Sequence, residues 1–146
     1  MSRSDALLDE LRAAVARARV ARLATIGPGG HPHVVPICFA LEGERLYSAV
    51  DRKPKRSREL QRLANVRADP RVEVLVDHYE EEWARLWWVR LRGRARVVDA
   101  GEELARALAL LTVKYEQYRA EPPTGPALAM EIDAWSAWRA HGEVTR

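Results

Sequence analysis

A short basic segment carries most of the positive charge of this sequence. Between Asp51 and Arg62 six basic residues stand against two acidic ones, whereas the rest of the chain is nearly balanced and the whole protein has a net charge of +3. The segment follows a predicted strand and leads into a predicted helix. Unpaired N–H groups at the helix start would therefore lie beside Lys53, Lys55 and Arg56. This combination predicts a phosphate-binding site, and a solvated basic loop is the alternative.

A second charged pattern runs along the predicted strand Ala84–Asp99. A period of two places an apolar set on one face and four arginines with Trp88 on the other. These arginines are Arg90, Arg92, Arg94 and Arg96. They indicate a subunit interface with acidic partners or contact with an extended anionic ligand, and a solvated strand face is the alternative. Trp88 among them is typical of an interface anchor or a stacking surface.

The chain offers few residues for catalysis by the protein alone. Cys38 is interpreted as a packed small hydrophobe, because no partner pattern activates it as a nucleophile. His31 and His33 share a strand face without the spacing of a metal site, so no metal is predicted. Glycine-rich nucleotide loops and the nucleophile-elbow motif are absent from the sequence. If this is an enzyme, a bound cofactor must therefore supply the difficult chemistry.

The elements that must position these residues fit one domain of 146 residues. Helical spacing predicts an N-terminal helix within residues 1–18, and a barrel with inserted helices is predicted over residues 19–138. The predicted strands are 20–26, 31–41, 45–50, 72–79, 84–99 and 127–132, and two further helices are predicted at 57–66 and 102–118. Gly93 is expected to mark a bulge or bend. Strands with short connections predict a small antiparallel β-barrel rather than an alternating fold.

Composition excludes several classes of protein. With 47% hydrophobic and 31% charged residues the chain is in the globular range. The longest apolar run, Val34–Leu41, is too short to span a bilayer, and Pro36 inside it is expected to mark a strand edge or a bulge. Early acidic residues such as Asp5 argue against a secretory signal. A single cysteine forbids an intrachain disulfide and favours a cytoplasmic location.

Six segments stand in a characteristic order and spacing: Val20–Ile26 with the glycine-rich turn after it, His33–Phe39, Tyr47–Arg56, Arg62–Tyr79, Leu86–Arg90 and Trp135–Trp138. In this order they resemble the split-barrel flavin and deazaflavin oxidoreductases, the pyridoxamine 5′-phosphate oxidase-like proteins. Within that family they most resemble the branch that uses coenzyme F420. Together they span nearly the whole chain.

The resemblance implies a mainly β fold, a six-stranded antiparallel split β-barrel with about three flanking helices. It also implies a homodimer with two cofactor sites at the subunit interface. The residues expected near the cofactor ring are Pro36, Cys38, Ser48, Ala49 and Val50. The basic segment of the family falls on Lys53, Lys55 and Arg56, where the charge pattern also predicts phosphate binding. The candidates for a wall contributed across the interface are Trp87, Trp88 and Arg90.

The implied activity is hydride transfer between reduced coenzyme F420 and a small organic acceptor. FMN is the alternative cofactor of the same fold, but the oligoglutamate tail of coenzyme F420 would suit the additional arginines. A non-catalytic carrier of the deazaflavin or of a tetrapyrrole-like ligand is a third hypothesis. A nucleic-acid binder that uses the basic segment and Trp88 ranks last, because the rest of the chain is slightly acidic. The expected partners are a second copy and a small-molecule substrate, with no nucleic acid and no membrane.

Overall fold

The computed structural model describes residues 2–50, 60–140 and 144–145. The helices are α1 (Arg3–Arg17), α2 (Gln61–Ala68), α3 (Gly101–Lys114) and α4 (Glu116–Ala120). The strands are β1 (Ala21–Ile26), β2 (Pro32–Ile37), β3 (Ala40–Glu42), β4 (Arg45–Ala49), β5 (Arg71–His78), β6 (Trp87–Val98), β7 (Ala127–Arg139) and β8 (Val144–Thr145). Within the described part of the chain, no helix has the length and apolarity that a membrane crossing requires.

All strands belong to one antiparallel sheet with the order β2-β1-β5-β6-β7-β4-β3, and β8 pairs with β7. The two ends of this order, β2 and β3, are consecutive in the chain and are joined by Cys38 and Phe39. Val76, Val89 and Leu91 are fully buried in the central core, and α1 packs against the same core. The mainly β split-barrel prediction is confirmed, although the described sheet has eight strands rather than six.

The N-terminal helix follows from its own sequence. Ser2 Oγ accepts a hydrogen bond from the Asp5 N–H at 3.1 Å, and the Asp5 carboxylate accepts one from the Ser2 N–H at 3.3 Å. This reciprocal pair satisfies N–H groups that the first helical turn leaves open. Leu7, Leu11 and Val15 then form the buried stripe that the spacing predicted.

The predicted strand 31–41 is wrong as a single element, because the structure divides it into β2 and β3. At the break, the Phe39 N–H donates to the Tyr115 hydroxyl at 3.0 Å instead of to a neighbouring strand. β2 is an edge strand that pairs only with β1 among the described strands, and Val34 on its outer face is 61% exposed. Pro36 is tolerated there because an edge strand has fewer ladder bonds to lose.

The predicted helix 102–118 is likewise divided, at Tyr115, into α3 and α4. Tyr115 has extended backbone angles (φ −111°, ψ 117°), and its hydroxyl is engaged with the β2–β3 connection. The last strand was predicted to end at Ile132, but β7 continues to Arg139 because it pairs with the whole of β6. The irregularity expected at Gly93 is confirmed as a shift of register between Arg92 and Gly93, and the extra residue at this shift is Asp133 of β7.

Candidate functional site

A cleft of about 380 Å³ opens where β2, β4, helix α4 and the start of α2 come together. Its lining residues are Val20, Val35, Pro36, Ile37, Cys38, Ala49, Leu60, Arg62 and Tyr118. Three of them, Pro36, Cys38 and Ala49, were predicted near a cofactor ring. They come from β2, the connection after it, and β4, which are far apart in the order of the sheet. Closure of the barrel therefore brings these predicted residues together.

The start of helix α2 forms one end of this cleft. Leu60 precedes the helix and lines the cleft, and no side chain of the described residues caps this helix start. The N–H groups of a first helical turn carry partial positive charge and favour anions. Lys53, Lys55 and Arg56 lie outside the described residues, in the segment that joins Val50 to Leu60. Their role in phosphate binding stays a prediction.

A buried polar chain fixes α2 against the barrel. Asn65, only 3% exposed, donates from Nδ2 to Thr25 Oγ1 at 2.9 Å and accepts from Gln61 Nε2 at 2.7 Å. The Asn65 amide thus makes two hydrogen bonds within the protein, one as donor and one as acceptor. These bonds stabilise the position of the helix. The start of α2 is thereby held at the cleft. The sequence offered no distinct signal for this, since an asparagine in a short polar helix reads as a surface residue.

Tyr115 holds the opposite wall of the cleft. Its hydroxyl accepts a hydrogen bond from the Phe39 N–H and lies 3.1 Å from the Phe39 carbonyl oxygen and 3.0 Å from that of Arg19. Burial raises the pKa of Tyr115 to about 12, so the hydroxyl keeps its proton and can donate to a carbonyl. This contact fixes the connection that carries Cys38 into the cleft wall.

Behind the cleft, Lys114 is a buried amine without a hydrogen-bond partner among the described residues. Its Nζ lies 3.7 Å from the centre of the Phe39 ring and 5.3 Å from that of Tyr115. Burial is the main cause that lowers the pKa of Lys114 to about 8, and the positive charge of nearby Arg19 contributes to the same shift. The cation–π contacts offset part of the cost of the buried charge.

Replacing Lys114 by Met should stabilise the protein at pH 7 by about 1–2 kcal/mol. This is less than the free energy that corresponds to the full pKa shift, because the amine keeps its aromatic contacts and some exposure to solvent. The unfolded amine keeps its ordinary pKa of 10.5, whereas the folded amine releases its proton near pH 8. The unfolded chain therefore binds more protons between those values, so wild-type stability should rise with pH there. Urea unfolding should show the advantage of Lys114→Met shrinking by pH 10. Lys114→Arg, which cannot lose its charge, should gain nothing; an equal advantage of Met at both pH values would contradict the assignment.

Two other residues predicted near the ring do not line the cleft. Ser48 is buried, and it alternates along β4 with Tyr47 and Ala49, which pack towards α3 and α4. Val50 is half-buried against the central core at the end of β4. The cleft wall also includes Tyr118, which sequence reasoning did not select. Its one signal in the sequence is its position three residues after Tyr115 at the end of the predicted helix 102–118.

Trp87, Trp88 and Arg90 line a separate pocket of about 350 Å³, here called the aromatic pocket. Its other lining residues are Leu75, Asp77, His78, Tyr79, Leu86 and Trp138. It shares no lining residue with the cleft. Within one chain the structure therefore does not bring the predicted wall residues to the predicted ring residues.

The arginine pattern of β6 is as predicted, with all four side chains on the outer face, but the arginines have different partners. Arg92 pairs with Glu73 at 2.9 Å, and Arg96 pairs with Glu103 and, at 3.0 Å, with Glu131. Arg90 lies over the Trp88 ring, 5.3 Å from its centre. Two of the four arginines are thus neutralised within the chain.

Among the residues that the structure describes, no three His, Cys, Asp or Glu side chains come together as a possible metal site. His33 has a buried Nδ1 with no hydrogen-bond partner in that part of the chain. It lies directly across from Thr25 in the β1–β2 register, on the side of the sheet that faces α2.

The chain matches a protein-family model over residues 7–139, and that model is described as pyridoxamine 5′-phosphate oxidase. Among curated proteins, none matches the chain.

Solved structures share the fold at low identity. A heme binding protein from Mycobacterium smegmatis has a TM-score of 0.76 at 20% identity, covering 99% of this chain and 57% of that one. A conserved hypothetical protein from Mycobacterium tuberculosis has a TM-score of 0.73 at 23% identity, covering 90% and 84%. A FAD-binding protein from Mesorhizobium loti has a TM-score of 0.63 at 23% identity, covering 89% and 90%.

Proposed function

Since the chain belongs to the pyridoxamine 5′-phosphate oxidase family, we propose that it is an oxidoreductase that binds coenzyme F420 in the cleft. When bound, this cofactor would supply a hydride to a small organic acceptor. The observation that carries the proposal is the meeting of Pro36, Cys38 and Ala49 with the start of α2 in one cleft. The protein would bind and orient the cofactor rather than form a covalent bond to the substrate.

The cleft suits a ring with a phosphate tail. Pro36, Cys38 and Ala49 offer a small, mostly apolar wall against which a planar ring can lie. The start of α2 offers a positive helix end to an anion, and the basic segment enters the helix at this point in the sequence. We therefore propose Lys53, Lys55 and Arg56 as the phosphate ligands.

We propose that the protein acts as a homodimer through the outer face of β2, β1, β5 and β6. On this face Val34 is 61% exposed and Leu75 is 37% exposed, and Trp88 lies on β6, the strand that pairs with the strand of Leu75. Apolar side chains grouped on one sheet face are typical of subunit interfaces. Trp87, Trp88 and Arg90 would then face the cleft of the partner subunit.

FMN is the second candidate cofactor. The structure from Mesorhizobium loti is described as that of a FAD-binding protein, which favours a flavin in this fold. The sequence offered four arginines of β6 to the anionic tail of coenzyme F420. Two of them, Arg92 and Arg96, already have carboxylate partners within the chain, so fewer arginines are available to the tail. Arg90 and Arg94 have none among the described residues and remain suitable for such a tail.

The proposal is tested by quenching of the intrinsic fluorescence of the five tryptophans during parallel titrations with coenzyme F420 and FMN. Saturable quenching by coenzyme F420, with a weak response to FMN, is the expected result. The reverse preference would make this a flavin protein, and no saturable response to either would refute a cofactor role for the cleft. Binding without turnover of the reduced form across a broad acceptor panel would favour a carrier. The molecular mass in solution tests the dimer.

A further inference from the structure

The aromatic pocket has the features of a ligand site of its own. Its volume of about 350 Å³ is within the usual range for small-molecule sites. Four of its nine lining residues are tyrosine or tryptophan, namely Tyr79, Trp87, Trp88 and Trp138. Tyr79 is 65% exposed, and all three tryptophans are only partly buried. Rings that stay in contact with water in a concave site favour a planar aromatic ligand, which can stack on them.

Arg90 gives this pocket its charge. The guanidinium lies 5.3 Å from the centre of the Trp88 ring and pairs with no carboxylate among the described residues. On the same strand face, Arg92 and Arg96 each have a carboxylate partner. An arginine held over an indole presents its N–H groups as a fork that matches a carboxylate. The ligand that complements Arg90 is therefore an anion.

The acidic groups around the pocket have other partners. Asp77 lies 3.9 Å from Arg22 on the neighbouring strand β1. Glu80 pairs with His78 and lies 4.0 Å from Arg85. The His78 ring in turn stacks on Trp87, with 6.3 Å between centres and 18° between planes. Arg90 is thus the charged side chain of the wall that has no ion-pair partner among the described residues, whereas Asp77 contacts Arg22.

We infer that the aromatic pocket binds a planar aromatic carboxylate, and that such a molecule, with a conjugated double bond, is the acceptor of the proposed reaction. The ring packs among the tryptophans of the pocket, and the carboxylate pairs with Arg90. Reduced coenzyme F420, when bound, would supply a hydride and a proton to the double bond; the acceptor would gain two electrons and the cofactor would be oxidised. The ligand class rests on the pocket, whereas its role as acceptor rests on the proposed function.

The test is calorimetric titration of the full-length protein with 2-naphthoate, a planar aromatic carboxylate without a reducible side chain. The wild type should bind it, and should bind neutral 2-naphthol and non-aromatic cyclohexanecarboxylate at least about tenfold more weakly. Arg90→Gln should lose about tenfold or more in affinity, whereas the matched control Arg92→Gln should stay within about twofold, because Arg92 lies outside the pocket. Circular dichroism checks that each variant folds, and the comparison of ligands on the wild type does not depend on any variant.

Equal binding of naphthol and naphthoate, or no saturable binding of naphthoate, would overturn the inference; the second result is also expected if side chains of a second copy fill the pocket.

The acceptor role has its own readout. Naphthoate should perturb the visible absorbance of bound coenzyme F420 in the wild type but not in Arg90→Gln, and an unchanged spectrum would refute that role. If coenzyme F420 binds but naphthoate does not, the inference fails alone. If naphthoate binds through Arg90 but neither coenzyme F420 nor FMN binds, the proposed function fails and the ligand class stands.

Discussion

Replacing Lys55 and Arg56 together by Ala is expected to weaken cofactor binding by roughly 10² to 10⁴-fold. Each residue is proposed to make one charge-assisted hydrogen bond to the phosphate, and such bonds contribute about 1.5–3 kcal/mol each. Fluorescence titration with the better of the two cofactors measures the change. The unfolding temperature should stay nearly constant, because charged side chains of a phosphate site contribute little to folding when the ligand is absent.

The control for this prediction removes the same net charge elsewhere. Arg3→Ala with Arg17→Ala changes residues at the two ends of α1, away from the lining of the cleft. This double variant should bind the cofactor as the wild type does at physiological ionic strength, where distant charges are screened. If both double variants bind equally well, the phosphate is not held by Lys55 and Arg56, and the assignment of the basic segment must be abandoned.

Replacing Gly93 by Ala is expected to destabilise the protein by about 3 kcal/mol or more. A Cβ atom at this position would overlap the carbonyl oxygen of Glu131 and would lie 3.0 Å from its carbonyl carbon and 3.1 Å from Met130 Cε. Most of these contacts are with the backbone of the paired strand β7, which cannot move without breaking the ladder. Urea unfolding, or the yield of soluble protein if the variant does not fold, measures the effect.

Gly29→Ala is the matched control for Gly93→Ala. Gly29 has a positive φ of 70°, but an added Cβ would meet no atom within 4 Å. Its substitution should cost about 1 kcal/mol from the left-handed backbone alone. A similar small cost for Gly93→Ala would show that β6 and β7 separate easily at the bulge, and the close packing seen there would not be needed for stability.

Local sequence patterns correctly predicted the elements that bury one face in the core and expose the other to solvent. In β5 and β6 one face is core and the other is solvated, so apolar and polar residues alternate with a period of two. Val72, Val74 and Val76 accordingly lie inside, and the arginines of β6 lie outside. The helix α1 has a capping pair at its start and a buried stripe, both of which are visible in the sequence.

The errors share one cause, which is a contact between residues distant in the chain. Tyr115 ends α3 and divides the predicted strand 31–41, because its hydroxyl bonds the backbone at Phe39, 76 positions away. The continuation of β7 past Ile132 follows from its pairing with β6, in which Asp133 is the extra residue of β7 at the register shift opposite Arg92 and Gly93. Propensity and periodicity describe neighbours in sequence, so neither pattern contains this information.

In the candidate site, too, some features follow from the sequence and others only from the tertiary structure. The sequence by itself determined the mainly β class, the basic segment, the arginine face of β6 and the bulge at Gly93, because these depend on residue type and short-range spacing. The tertiary structure alone decided that Pro36, Cys38 and Ala49 meet at the start of α2, that Ser48 faces away, and that Arg90 lacks the carboxylate partner that Arg92 has. Closure of a sheet sets these juxtapositions, and closure depends on pairings between strands that are far apart in the chain.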